Sequence, residues 1–344
     1  MKANAKSRAR SLKTVGFVVG TMAAAAVVAA CSTSEKKEES KEGIGLNQIT
    51  PVANAAEAAM PVDATPSPDG TQIYFIAFSS RPDADGLKME RIPAIFKVPA
   101  TATGAAPAQL FAGEPLMSPF GITVSDDGQT LLIADSSADG DPTAARSEGR
   151  VFTMSANGGS PTTLAGTEGL TPAGVEAFKD SLYVTGRKDG APGLFKTGIA
   201  GGAVSVVAAG APFSDPGGVA VGRDGVAYVV DTGSAINGQA LASVIKVTPD
   251  GKTQVLLEGI SVGHPAGIAL VNDGTALLVS GLDRAKGTDR VFRLDLGSRS
   301  VRVLSAQIGD FYESAGLHRA RNAEVFAWAD THANGTGTVY ALKP

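Results

Sequence analysis

The chain of 344 residues contains one cysteine, one tryptophan and three histidines. A single thiol, Cys31, excludes an intrachain disulfide. No later apolar run is long enough to cross a membrane. The stretch from Val15 to Ala30 is uncharged, but it falls short of the roughly twenty residues a spanning helix needs. There is no phosphate-binding loop. No segment of helical length carries a 3.6-residue apolar period, which excludes helical repeats. Positive charge is scarce outside the N-terminus. The formal charge is -4, and it falls to about -9 without Lys2, Lys6, Arg8, Arg10 and Lys13. An acidic body of this kind is a poor partner for nucleic acid, whose affinity comes from clustered Lys and Arg.

What is present begins with those five basic residues, the uncharged stretch, and "VVAAC". A basic region, an apolar region and small residues form an export signal. Val28-Ala29-Ala30-Cys31 resembles the lipobox of a bacterial lipoprotein, which implies cleavage before Cys31 and acylation of its sulfur. Residues 1–30 are therefore expected to be a signal peptide. Residues 31–45, with alternating blocks of Lys and Glu and no apolar periodicity, are expected to be a solvated tether. Several acyl chains on Cys31 would hold the protein on a lipid membrane. Ser32, in place of an Asp after the Cys, favours the outer membrane of the cell envelope by the same resemblance.

From residue 46 onward the chain repeats itself. The tripeptide Pro-x-Gly starts units at Pro119, Pro172, Pro216 and Pro265, with degenerate copies at Pro61, where Asp63 replaces the Gly, and at Ser314. Eight residues after each start stands a turn residue: Asp69, Asp127, Asp180, Asp224, Asp273 or Asn322. Gly follows at 70, 128, 225 and 274, and Asp-Gly predicts a tight hairpin with positive φ tolerated at both residues. Each turn leads to a short apolar run ("LLIAD", "YVVD", "VFAWAD"), then a loop, then a third run ("VFTM", "VIKV", "VYAL"). A fourth run follows in five units. Four short strands per unit, with starts about 44 to 58 residues apart, match propeller blades. The prediction is an all-β, six-bladed β-propeller over residues 46–344. The sixth unit has only three strands of its own, so the unpaired "LNQITPVANA" before the first unit is expected to close the ring as the missing outer strand. Closure of this kind shields strand edges.

"YVVDTGSA" after "PGGVAVGRDG" resembles the NHL repeat. The whole of residues 46–344 is similar to the six-bladed superfamily that also holds gluconolactonase-like (regucalcin-like) enzymes. The resemblance specifies a fold and leaves open enzymes, receptors and scaffolds. Lactonase relatives place metal-binding Asn or Asp at the middle of Pro-x-Gly. Here those positions are Val62, Phe120, Ala173, Gly217, Ala266 and Ala315, none with a ligating side chain.

Residues just before Pro-x-Gly should converge around the central opening: Met60, Ser118, Thr171, Asp215, His264 and Glu313. Asp215, His264 and Glu313 form a candidate catalytic cluster in which a divalent cation, or His264 as a base, would serve a hydrolase or lyase. Ser118, Thr171, Asp231, Asp330 and His332 are expected on a binding rim. Asp135, Asp231 and Asp330, at the ends of second strands, are also suited to bracing the next loop through its backbone N–H groups. His318, inside the sixth inner strand, is expected to be buried or to line the channel. The stretches Ser79–Pro93, Ser136–Gly149 and Thr232–Ala242 are read as recognition loops. A ligand-binding or partner-binding lipoprotein is the first expectation, and the partner is an envelope protein or a small molecule.

Overall fold

The computed structural model describes residues 48–53, 58–83, 85–86, 88–137, 148–236, 239–283, 287–304 and 314–343. All of them fall within Ile44–Pro344. The expected signal peptide, the tether with Cys31, and Glu313 lie outside the described residues.

Six four-stranded antiparallel sheets form the six blades. Blade one shows the plan, with β2 (Ala59–Pro66) innermost, then β3 (Gln72–Pro82), β4 (Met89–Pro99) and β5 (Ala108–Ala112) outermost. The other inner strands are Pro119–Val124, Leu170–Phe178, Pro216–Val221, Ile268–Leu270 and Ser314–Arg319. Blade six draws three strands from the end of the chain and its outer strand, β1 (Gln48–Ala53), from the start. β1 runs antiparallel to Thr338–Lys343, pairing Ile49 with Leu342 and Thr50 with Ala341. The ring closes as the sequence predicts.

The core is divided among six interfaces. Each apolar cluster joins two neighbouring blades, as where Leu317, Trp328 and Leu342 of blade six meet Ala276, Leu278 and Val291 of blade five. The closing interface joins Val52, Ala327 and Val339 to Phe75 and Phe96 of blade one.

The two repeated motifs take definite shapes. In the Asp-Gly turns only the glycine is left-handed, with φ of 71° at Gly70, 73° at Gly128 and 79° at Gly225. The expectation that Asp also takes positive φ is corrected. Its contribution is the carboxylate, which accepts the N–H two residues on, as Asp127 does from Gln129 and Asp224 from Val226. Pro-x-Gly marks a bulge in the inner strand. Pro216 faces Asp231, but the register has shifted by the time Val219 faces Val229. Its glycine is demanded by close approach: a Cβ on Gly174 or Gly218 would overlap the backbone of the next blade.

Two of the stretches read as loops are hairpins instead. β3 and β4 stay paired out to Pro82 and Met89, and in blade four Ala227–Ile236 pairs with Gln239–Val247. In blade one the tip residues Ser80, Arg81 and Pro82 are exposed and carry no apolar alternation, so nothing in the sequence separates them from a loop.

Candidate functional site

The inner strands run from a Pro-x-Gly face to an Asp-Gly turn face, and the expected site lies on the first. Proline at the start of the inner strand has no N–H, and the residues before it turn away from the ladder. Their amides need other acceptors. Asp135, opposite Pro119, accepts N–H bonds from Met117, Ser118 and Ser137 at 2.8–3.0 Å. Asp231, opposite Pro216, does the same for Ser214, Asp215 and Gly233. Asp330 accepts from His332 and Ala333. All three carboxylates are buried, so Asp231 and Asp330 hold the rim in shape and present no charge to solvent. Burial, together with the charge of neighbouring Asp289, pushes Asp330 up to about 8.

Of the expected cluster, Asp215 and His264 are both exposed on this face. They share no hydrogen bond or ion pair. Asp215 is held through its backbone carbonyl by the Thr232 hydroxyl at 3.1 Å. The His264 ring leans edge-on against Phe120, with centroids 5.4 Å apart. Among the described residues, no group of three or more His, Cys, Asp and Glu side chains is placed to hold a metal ion. His332 is partly buried before a short 3-10 turn.

Thr171 is brought into a cleft. With Ser136, Ser137, Glu148 and Arg187 it lines an open depression of about 660 Å³ between blades two and three. Arg187 is fixed there by the carbonyls of Gly190 and Ser214. Ser118 stands one blade edge away, its carbonyl accepting the N–H and hydroxyl of Ser136. The lining is polar and mixed in charge, with donors and acceptors on opposing walls. Such a surface suits a hydrogen-bonding ligand or protein segment.

A second constellation was not foreseen as a unit. His318 sits across the channel between Asp63 and Glu176, with each ring nitrogen 3.2 Å from a carboxylate oxygen. Glu176 also binds Arg321 at 2.8 Å, and Arg321 reaches Asp126 at 3.3 Å. The chain of charges therefore links blades one, six, three and two through the axis. Asp63 accepts the Ile122 N–H of blade two with the same oxygen that faces His318. Burial alone would push the imidazole down, but the Asp63 charge and the hydrogen bonds to Asp63 and Glu176 outweigh it and raise His318 to about 10. With both nitrogens donating to carboxylates, the His318 imidazolium has no lone pair to offer a metal ion or a proton donor. It plugs the channel, leaving only voids of about 10 Å³ on either side. The signal was in the sequence: Asp63 stands where all five other blades have the motif glycine, four of those glycines lie against close backbone, and the fifth, Gly316, meets the Asp63 carboxylate.

No family model matches the chain, and no curated protein matches it. Solved structures do. A Dyadobacter fermentans protein of unknown function is 12% identical over 86% of this chain and 97% of its own, with a TM-score of 0.58. A putative oxidoreductase (glucose dehydrogenase) of Thermus thermophilus is 14% identical over 86% of this chain and 99% of its own, with a TM-score of 0.57. A putative TolB of Agrobacterium tumefaciens is 12% identical over 83% and 91%, with a TM-score of 0.52. At these identities the likeness is one of fold, the β-propeller, on which functions as varied as these are built.

Proposed function

We propose that the chain is a lipid-anchored envelope protein whose propeller binds a ligand or protein partner through its Pro-x-Gly face. The observation that carries this reading is the polar cleft at Thr171, Ser136, Ser137 and Arg187, on the rim of a channel plugged below by His318. A plugged channel denies a substrate the deep enclosed pocket in which metal-assisted hydrolysis is usually housed, while an open polar rim suits recognition. Anchoring rests on the lipobox at Val28–Cys31. It predicts that Cys31→Ser leaves the protein uncleaved or released.

Photo-crosslinking in the producing cell tests the binding reading. A photoreactive residue at Thr171 is expected to give discrete covalent adducts. The same residue at Val206, exposed on an outer strand, is expected to give none. Equal adduct patterns at the two positions, or none at either, would refute binding through this face.

A further inference from the structure

At the other end of the plugged channel, on the Asp-Gly turn face, lies a cavity of about 490 Å³. Phe178, Val221, Tyr228 and Leu270 supply its apolar walls, and Arg223, Arg319 and Arg321 its positive charge. The three guanidinium groups are not equivalent. Arg321 is spent on Glu176 and Asp126. Arg319 is partly buried and has no carboxylate partner among the described residues. Its Nε donates to the Leu270 carbonyl at 2.7 Å, and one terminal nitrogen donates to the Ala320 and Arg321 carbonyls at 2.6 and 3.5 Å. These bonds use three of its five N–H groups and fix its plane, leaving the second terminal nitrogen without a protein acceptor. Burial disfavours the Arg319 charge. The Glu324 charge offsets this in part, but Arg321 and Arg223 act against it again. Arg223, exposed at the rim, makes one bond to Asn272 Oδ1 at 2.9 Å.

We propose that this mouth is a receptor for a small organic carboxylate with an apolar body, anchored on Arg319 and assisted by Arg223. A guanidinium that is locked in place, short of an anion and open to a cavity is a preorganised, charge-assisted donor for a carboxylate. The cavity volume suits a small ligand, and its aromatic and aliphatic walls suit an apolar body. Asp224 and Asp273 also stand on the rim, their carboxylates turned to their own turns' N–H groups at Val226 and Thr275. Their charges select against multiply charged anions such as phosphate and leave a single carboxylate as the favoured partner. The site is on the opposite face from the cleft at Thr171, so the two proposals stand or fall separately.

Benzoate is the probe, with benzamide as its uncharged counterpart, and both are titrated calorimetrically into the full-length chain. Saturable benzoate binding is expected, with benzamide silent. Arg319→Gln should weaken it roughly tenfold or more, as loss of a charge-assisted pair does. The exposed substitutions Arg223→Ala and Asp273→Asn keep the test open if Arg319→Gln does not fold: the first should weaken benzoate binding several-fold and the second strengthen it. The proposal is overturned if benzoate shows no saturable binding into the millimolar range, if benzamide binds equally, or if the folded variants bind benzoate as the parent does.

Discussion

His318 is the residue on which the axis of the molecule depends. A buried imidazolium between two carboxylates is costly to bring out of water, but removing it leaves Asp63 without its counter-charge and Glu176 with Arg321 alone, a loss of about 3–5 kcal/mol in comparable buried pairs. His318→Gln keeps hydrogen-bonding capacity and removes the charge, so it isolates this contribution. The pH dependence has a definite sign. A pKa raised from 6.5 to about 10 means the folded state binds the proton more tightly, so the stabilisation is fully present below about pH 6.5 and is lost as pH rises towards 10. Glu176, held below its ordinary 4.5, acts in the opposite sense: its contribution is present above that value and lost as pH falls through the acid range. Denaturant unfolding of parent and His318→Gln should therefore differ most near pH 6 and converge towards pH 10. A deficit unchanged across that interval would contradict the charged assignment. The sequence could suggest that His318 was buried, but not what it touches. Its partners are 255 and 142 residues away, in blades one and three. Asp63 read only as a defect in the motif.

At the scale of elements, the repeat made most of the architecture legible. A fixed eight-residue interval between motif and turn places the turn that follows every inner strand, and the missing fourth strand of the last unit called for β1. The polar hairpin tip of blade one was not legible, because Ser80, Arg81 and Pro82 are exposed and show no apolar alternation. β1 gives the element-scale test. It buries Val52 completely and Ala53 nearly so, and it covers the outer edge of the strand Thr338–Lys343. At roughly 1.5–3 kcal/mol for a buried Val, with the paired backbone added, deletion of residues 46–55 is expected to lower stability by at least about 3 kcal/mol and to expose an aggregation-prone edge. Deletion of residues 34–42 should leave the melting temperature unchanged. Equal melting of the two deletion proteins would overturn closure by β1.

For the whole molecule, the ring is a rigid support that leaves its two faces to differ. Buried hydroxyls staple neighbouring inner strands: Ser280 takes the Gly267 N–H and donates to the Ala315 carbonyl of blade six, and Thr185 joins Gly174 to Gly217 of blade four in the same way. With the axis blocked by His318, the two ends of the ring are separate surfaces. The Pro-x-Gly end carries the polar cleft that the sequence foresaw only as Thr171 and its rim neighbours, since the depression arises from two blades meeting. The chain has a single native cysteine, proposed above as the anchor, so thiol labelling is the most direct test of recognition through that face. Thr171→Cys and Val206→Cys would be labelled in isolated native envelopes and again in purified protein. The account predicts labelling slowed several-fold in envelopes at Thr171→Cys alone, relieved on purification. Equal labelling of both positions in envelopes and in solution would contradict it.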